Sequence, residues 1–185
     1  MNRIVVLGAG YAGMAAAVNL AARTKRREDV RVTVVNATER FTERLRLHQV
    51  AAGEEVADLA IPELLAGTGV GFVRGWVTGV DAAGRTVRVD DEVVLEYDTL
   101  VYALGGVADT ATVPGVDDHA HTVNSMQDAV LLAQRLDGLG GGTVAVCGSG
   151  LTGVEASAEI AERHPELDVV LLGRDEPGAG LGPKA

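Results

Sequence analysis

The sequence predicts an α/β protein with a parallel sheet and an antiparallel meander, followed by the start of a second α/β unit. Two observations carry this prediction. The order strand, glycine-rich turn, helix, strand occupies the first 36 residues, and the same order returns after Gly142. Between the two units, short alternating segments at 79–98 are separated by turn residues, which is typical of antiparallel strands.

The first unit begins with a short apolar strand at Arg3–Leu7. The alanine-rich segment Ala12–Arg23 predicts a helix, and Arg31–Val35 predicts the second strand. The turn between strand and helix reads GAGYAG and has glycines at 8, 10 and 13. Together these segments have the size of a βαβ motif.

The middle of the chain continues this unit. Residues 40–66 are predicted to be mostly helical, with a helix start at Ile61–Pro62, because proline fits the first helical turn. A strand is predicted at Gly71–Val77, and the meander follows it. Thr99–Leu104 is an apolar strand that ends at two glycines.

Residues 107–124 contain Pro114 and polar side chains and predict a linker. Ser125 is predicted to cap a helix that ends at Leu136, with Asp128 in the position of a capping box. The second unit is then predicted as strand, glycine turn (GSGLTG), helix and strand, at Thr143–Cys147, Gly148–Gly153, Thr152–Arg163 and Asp168–Leu172.

Composition limits the functions open to the chain. Its 185 residues are 47% hydrophobic but only 3% aromatic, so the core is expected to consist mainly of Ala, Val and Leu. A net charge of −10 without a basic patch argues against a nucleic-acid partner, and a cytoplasmic location is expected. No apolar run approaches the ~18 residues of a membrane span. Cys147 is the single cysteine, which excludes an intrachain disulfide, and it is predicted to be a small buried strand residue.

The spacing of the two glycine turns suggests a nucleotide site. In a dinucleotide-binding βαβ unit the first glycine turns the chain, the second lets the backbone reach the pyrophosphate, and the third lets helix and strand pack closely. The helix N-terminus then offers N–H groups and a partial positive charge to the phosphates. A tight strand-to-helix connection without a ligand is the alternative for either turn. The repetition of the arrangement favours binding.

The residue that contacts a ribose hydroxyl normally lies ~20 residues beyond the turn, at the end of the second strand. In the first unit this position is Asn36, and Glu39 slightly beyond it is the charged alternative. In the second unit the position is Gly173, followed by Arg174, which could pair with a 2′-phosphate. An ordinary surface arginine is the alternative for Arg174.

These residues resemble a family of flavoproteins with two dinucleotide-binding domains, the pyridine nucleotide–disulfide oxidoreductase-like group. GAGYAG matches its FAD turn, GSGLTG its nicotinamide turn, and YDTLVYALGG at 97–106 its third FAD contact, although Leu104 stands where threonine is usual. The resemblance implies FAD contacts at Gly8, Ala9, Gly10, Tyr11, Ala12, Gly13, Asn36, Ala37, Arg44, Val77, Ala103, Leu104 and Gly105. It implies NADH or NADPH contacts at Gly148, Gly150, Gly153 and Arg174.

Within the group, the chain is most similar to type II NADH dehydrogenases. TGVEASAEIAE at 152–162 resembles their helix in which a glutamate, here Glu155, faces the nicotinamide region as the candidate catalytic residue. FTERLRLHQVAAG at 41–53 resembles the segment that runs toward the flavin, which makes Arg44, His48 and Gln49 flavin-side candidates. A histidine satisfied within its helix is the alternative for His48.

The resemblance implies two Rossmann-like domains. An FAD-binding domain is expected at 1–108, a linker and connecting helix at 109–141, and an incomplete NAD(P)-binding domain at 142–185. Family members continue for about as many residues again, so a fragment is expected. His119 and His121, in the linker, are expected to have no chemical role.

The function implied by the resemblance is that of an FAD-dependent NAD(P)H oxidoreductase, in which hydride passes to FAD and electrons continue to a quinone or another small acceptor. Without a CxxC pair, reduction of disulfide substrates is disfavoured. The chain alone is expected to be inactive, a homodimer is possible, and membrane contact is expected only through a missing C-terminal part. The alternatives are a nucleotide-binding module without turnover, and a simple NAD(P)-dependent dehydrogenase that uses only the first site.

Overall fold

The computed structural model describes residues 1–177 and divides the chain into two units. Unit 1 consists of Met1–Glu43 and Asp58–Gly106, and unit 2 of Arg44–Ala57 and the chain from Val107 onward. The predicted NAD(P)-binding domain at 142–185 extends into residues 178–185, which lie outside the described part of the chain.

Up to residue 102, the elements in chain order are β1 (Asn2–Leu7), α1 (Tyr11–Thr24), β2 (Val30–Asn36), a 3-10 turn (Arg44–Arg46), α2 (Leu47–Ala51), α3 (Ile61–Leu65), β3 (Gly71–Arg74), β4 (Val77–Asp81), β5 (Thr86–Val89), β6 (Val93–Glu96) and β7 (Thr99–Tyr102). The following elements are α4 (Val116–His119), α5 (Met126–Asp137), β8 (Gly142–Cys147), α6 (Leu151–Arg163) and β9 (Leu167–Leu172). The predicted α/β class is confirmed.

Unit 1 is built on a parallel sheet with the strand order β3-β2-β1-β7. The register places Leu7 beside Val35 and Tyr102, and Val35 beside Val73. Because all four strands run parallel, their carboxyl ends lie at one edge of the sheet, and the segments that follow them gather there.

Both faces of this sheet are buried. On one face, Val6 and Val34 belong to a cluster with side chains of α1 and α3. On the other face, Val5, Leu7 and Val35 pack with buried side chains of the meander. Burial on both faces explains why the central strands are continuous apolar runs rather than alternating ones.

The meander is antiparallel with the order β4-β5-β6, as predicted. The strand predicted over Gly71–Val77 is wrong in its second half, since β3 ends at Arg74. Gly75 has φ +156°, and a Cβ there would collide with the side chains of Val89 and Asp90, so the chain turns at this glycine. Val77 therefore begins the next strand.

The prediction that 40–66 is mostly helical is also wrong, because the residues between α2 and α3 are not helical. Gly53, with φ +93°, follows the last turn of α2 in the left-handed region. The chain then returns in an extended form, with an antiparallel bridge between Arg40 and Ala60 and an ion pair of 2.7 Å between Arg40 and Asp58. The predicted helix start at Ile61 is confirmed.

Unit 2 contains the parallel pair β8-β9 and the helices α2, α5 and α6. Leu47 and Ala51 of α2 are buried with Ala129 of α5. Ala52, at the end of α2, is buried in a cluster with Leu136, Ile160 and Leu167. The segment 44–57 therefore packs with unit 2, although it falls inside the FAD-binding domain expected from the sequence at 1–108.

The prediction that Cys147 is buried is wrong, since the thiol residue is exposed. Residues alternate between the two faces of a strand. Val144 and Val146 of β8 pack in the cluster that contains Ile160 of α6. Cys147 belongs to the opposite face of β8 and is exposed there.

The cap of α5 gives a stability prediction. The Ser125 hydroxyl accepts a hydrogen bond from the Asp128 N–H at 3.1 Å, as expected, but the Asp128 carboxylate accepts from the Thr122 hydroxyl rather than completing a capping box. Replacing Ser125 by alanine leaves that N–H without its cap and should lower the free energy of unfolding by about 1 kcal/mol, measured by urea denaturation.

Ser157→Ala is the matched control. The Ser157 hydroxyl donates to the Gly153 carbonyl at 2.7 Å in the interior of α6, where such a bond adds little and alanine is the better helix former. The control should change stability by less than about 0.5 kcal/mol. Equal losses in the two variants would contradict the assigned cap.

A second prediction concerns pH. The backbone N–H of Arg3 donates to the Asp98 carboxylate at 2.7 Å, and this bond, with the nearby Arg3 guanidinium, lowers the pKa of Asp98. Because the folded pKa lies below the unfolded value, the stabilisation is present above the unfolded pKa and is lost as pH falls through the folded pKa. Asp98→Asn should therefore flatten the fall in the free energy of unfolding below about pH 5. Parallel pH profiles for the two proteins would contradict this role.

Candidate functional site

The turn between β1 and α1 lies at the carboxyl edge of the unit 1 sheet and contains two glycines that the protein itself requires. Gly8 has φ +93°, and a Cβ there would collide with the Ala103 carbonyl after β7. A Cβ on Gly13 would collide with the Gly8 carbonyl. These contacts bring the first turn of α1 directly against the end of β1.

Gly10 differs from its neighbours. Its φ of −73° and ψ of −173° are values that any residue adopts. Apart from its two chain neighbours, no described residue has an atom within 4 Å of the position of a Cβ on it. Neither backbone conformation nor packing explains this glycine, which leaves open space beside the N-terminus of α1.

The open space has the character of an anion cradle. The first N–H groups of an α-helix have no intrahelical partner, and the helix dipole makes this end partly positive. Tyr11 and Ala12, the first two residues of α1, are exposed. The backbone here can therefore donate to a diphosphate, and the residues present fit such a group.

Asn36, at the end of β2, holds the turn between β1 and α1 by a hydrogen bond of its side chain. Its side-chain oxygen accepts from the Ala9 N–H at 3.0 Å, and its side-chain nitrogen donates to the Thr38 carbonyl at 2.9 Å. Ala9 is only 2% exposed. Ala9 therefore shapes the turn through a bond inside the protein, and Asn36 positions the turn from the place where a ribose-binding residue is expected.

The segment after β2 adds two contacts. Ala37 follows Asn36 directly and is partly buried, and Glu39 pairs with Arg74 across 3.6 Å. The ring of Phe41 meets the ring of Tyr11 edge to face, with the centroids 5.1 Å apart. Phe41 is one of only two phenylalanines in the chain, and no local sequence pattern indicates this contact.

The end of β7 completes the edge. The Ala103 N–H donates to the Leu7 carbonyl at 2.9 Å, Leu104 is 43% exposed, and Gly105 has φ +75°. The partly buried Val77 side chain packs against the core between sheet and meander. Unit 1 thus brings together the candidates from the β1–α1 turn, the end of β2 and the end of β7.

The turn between β8 and α6 in unit 2 repeats this geometry. Gly148 has φ +125°, and a Cβ on Gly153 would collide with the Gly148 carbonyl. Gly150 has φ −73° and ψ 175°, and again no described residue beyond its two chain neighbours has an atom within 4 Å of its Cβ position. Arg174 lies after β9 with its side chain 95% exposed. The second turn therefore offers the same kind of cradle as the first.

Glu155 lies one turn into α6, where its carboxylate is 3.6 Å from Nδ1 of His48. The His48 side chain is only 12% exposed, and its Nε2 lies 3.9 Å from the Glu159 carboxylate. This enclosure between two acids of α6 favours the interpretation of His48 as a histidine satisfied by its neighbours.

The other candidates of the 41–53 segment also have partners within unit 2. Gln49 accepts a hydrogen bond from the Arg46 guanidinium at 2.7 Å, and the Arg44 guanidinium donates to the Asn124 side chain. His119 and His121 line an open pocket of about 600 Å³ in unit 2.

Two features are absent from residues 1–177. Within this range no three histidine, cysteine or carboxylate side chains are placed to hold a metal ion. No helix in the same range combines the length and apolar character needed to cross a lipid bilayer.

This chain is similar in sequence and in fold to known proteins. An NADH dehydrogenase-like protein from Mycobacterium tuberculosis is 34% identical over 175 residues, which cover 88% of this chain and 43% of that protein. A type II NADH:quinone oxidoreductase from Staphylococcus aureus is 31% identical over 181 residues, covering 90% and 44%. A solved ferredoxin reductase from Rhodopseudomonas palustris has a TM-score of 0.78 at 19% identity, covering 100% of this chain and 46% of its own.

The chain thus spans less than half the length of the curated relatives that it matches. The structural likeness confirms the expected Rossmann-type fold. The family model of the pyridine nucleotide-disulphide oxidoreductases matches residues 2–184, nearly the whole chain. This chain is therefore a member of the pyridine nucleotide-disulphide oxidoreductase family.

Proposed function

We propose that this chain is the nucleotide-binding part of a flavin-dependent NAD(P)H oxidoreductase, with FAD held by unit 1 and NADH or NADPH by unit 2. The observation that carries the proposal is the pair of glycines, Gly10 and Gly150, for which the protein itself has no need. Both lie beside a helix N-terminus, in a turn whose other glycines are required by a positive φ or by packing. Space reserved twice in this way is suited to two diphosphates.

The assignment of FAD to the first turn is supported by the third segment at the same edge. In the family resemblance, the segment after β7 is an additional FAD contact, and Ala103, Leu104 and Gly105 lie there beside Gly8. When bound, FAD supplies the ring that accepts a hydride from the nicotinamide and passes electrons to an acceptor. The names of the relatives, an NADH dehydrogenase-like protein and a type II NADH:quinone oxidoreductase, support this reaction class.

The residues of the chain itself bind and orient the cofactor. The Tyr11 and Ala12 N–H groups donate to the diphosphate of the flavin nucleotide, and the Tyr11–Phe41 ring contact holds the segment after β2 against this end of α1. Asn36 keeps the turn in the conformation that exposes these donors. No nucleophilic side chain is required, because the cofactor carries the electrons.

In unit 2, the first N–H groups of α6 take the same role toward the nicotinamide nucleotide. Glu155 follows this end of the helix by one turn and is about half exposed, so its carboxylate is available to a bound ligand. We assign it the role of the glutamate that faces the nicotinamide region in the type II enzymes. A quinone is the proposed acceptor, as the name of the S. aureus relative suggests.

The proposal predicts that Gly10→Ala removes flavin binding while leaving the fold intact. A methyl group there meets no described protein atom, so the free energy of unfolding should change by less than about 1 kcal/mol. The same methyl group would occupy the space of the diphosphate. Titration of the purified protein with FAD, followed by the visible flavin absorbance and by quenching of flavin fluorescence, should give saturable binding that this variant lacks.

Gly13→Ala is the contrasting variant, because its methyl group collides with the Gly8 carbonyl. It should lower the free energy of unfolding by about 3 kcal/mol or more. Wild-type protein that does not bind FAD, or a Gly10→Ala variant that binds it equally well, would overturn the first site.

Turnover is tested with FAD-loaded protein, NADH or NADPH and a soluble quinone, where no consumption of either nucleotide would contradict the proposed reaction.

A further inference from the structure

In each unit the glycine turn donates a hydrogen bond to the end of the second strand, but the side chain in this bond comes from a different partner in each unit. In unit 1 the side chain comes from the strand end, where Asn36 accepts from the Ala9 N–H. In unit 2 it comes from the turn, where the Ser149 hydroxyl donates to the Asp175 carbonyl at 3.0 Å. The residue at the end of the second strand therefore contributes a side chain to this bond in unit 1 but not in unit 2.

In unit 2 this position is Gly173, and the structure explains why it carries no side chain. A Cβ on Gly173 would collide with Cβ and the hydroxyl oxygen of Ser149. In a dinucleotide-binding unit this position normally carries the acid that binds the ribose 2′-hydroxyl and repels a 2′-phosphate. As long as Ser149 is present, that acid has no space here.

We infer that unit 2 selects the nicotinamide nucleotide that carries a 2′-phosphate, NADPH, over NADH, with Arg174 as the residue that binds this phosphate. The inference rests on the proposed function, because it requires that the turn at Gly148–Gly153 holds a dinucleotide. It goes beyond the relatives, whose names specify only NADH.

The position of Arg174 supports this role. The Ser149–Asp175 bond holds the backbone on the C-terminal side of Arg174, so the residue is anchored next to the glycine turn while its side chain is 95% exposed. Its guanidinium has an ion pair of 3.8 Å with the Asp175 carboxylate. An exposed pair of this kind is weak, so a phosphate dianion with bidentate geometry can take the place of the carboxylate.

Nicotinamide-free nucleotides test this inference without any redox reaction. Isothermal titration of the purified protein with 2′-phospho-ADP-ribose and with ADP-ribose should give about tenfold or more tighter binding of the phosphorylated form. Arg174→Gln should reduce this ratio to about one, chiefly through weaker binding of the phosphorylated form, because the 2′-phosphate contact is lost. The preference should also weaken as salt is raised, since the contact is exposed.

Arg163→Gln is the matched control. Arg163 lies at the far end of α6, where it is 3.9 Å from Glu54, and its replacement should leave both affinities unchanged. Equal binding of the two nucleotides by the wild type, or a preference that survives Arg174→Gln, would overturn the inference and leave the proposed nucleotide site intact. If neither nucleotide binds, the second site of the proposed function fails, and this inference fails with it.

Discussion

The fold of both units depends on a close backbone approach between a helix and the strand before it. Gly13 lies against the Gly8 carbonyl and Gly153 against the Gly148 carbonyl, at distances that exclude any side chain. This approach sets the direction of α1 over the parallel sheet and so determines which alanines of α1 are buried. It also aims the first N–H groups of each helix at the turn before it. Packing and the placement of these N–H groups therefore depend on the same contact, and a side chain at Gly13 or Gly153 would disturb both.

The two units satisfy this constraint with different side chains. In unit 1 the turn is held by an amide from β2, and an additional strand, β7, closes against Gly8. In unit 2 a serine of the turn itself makes the tie, and the strand end must then be a glycine. Two turns with the same glycine spacing are thus followed by strand ends of different kinds, one with a polar side chain, Asn36, and one without a side chain, Gly173.

The features that the sequence predicted are those with a strong local signal. Glycine spacing, the apolar runs of β1, β2 and β9 and the serine before α5 each determine their element within a few residues. Contacts between residues that are distant in the sequence could not be predicted from local patterns. The alternation of residues along β8 does not reveal which face of the strand α6 covers, so the sequence wrongly predicts a buried Cys147. The segment 44–57 finds its apolar partners in α5 and α6, far along the chain. The bonds Asn36–Ala9 and Ser149–Asp175 and the Tyr11–Phe41 contact depend on how side chains meet across turns.

The placement of α2 in unit 2 has a consequence for the order of folding. The helix begins at Leu47, whereas α5, which buries Leu47 and Ala51, begins only at Met126. During synthesis on the ribosome, α2 leaves the exit tunnel long before α5 and α6 exist, and the strands β3 to β7 are made in the interval. The strands of unit 1 are therefore complete in the nascent chain while the apolar side of α2 still lacks its partners. Packing of α2 against α5 then closes the long chain segment between them, and the entropy cost of closing such a segment grows only slowly with its length.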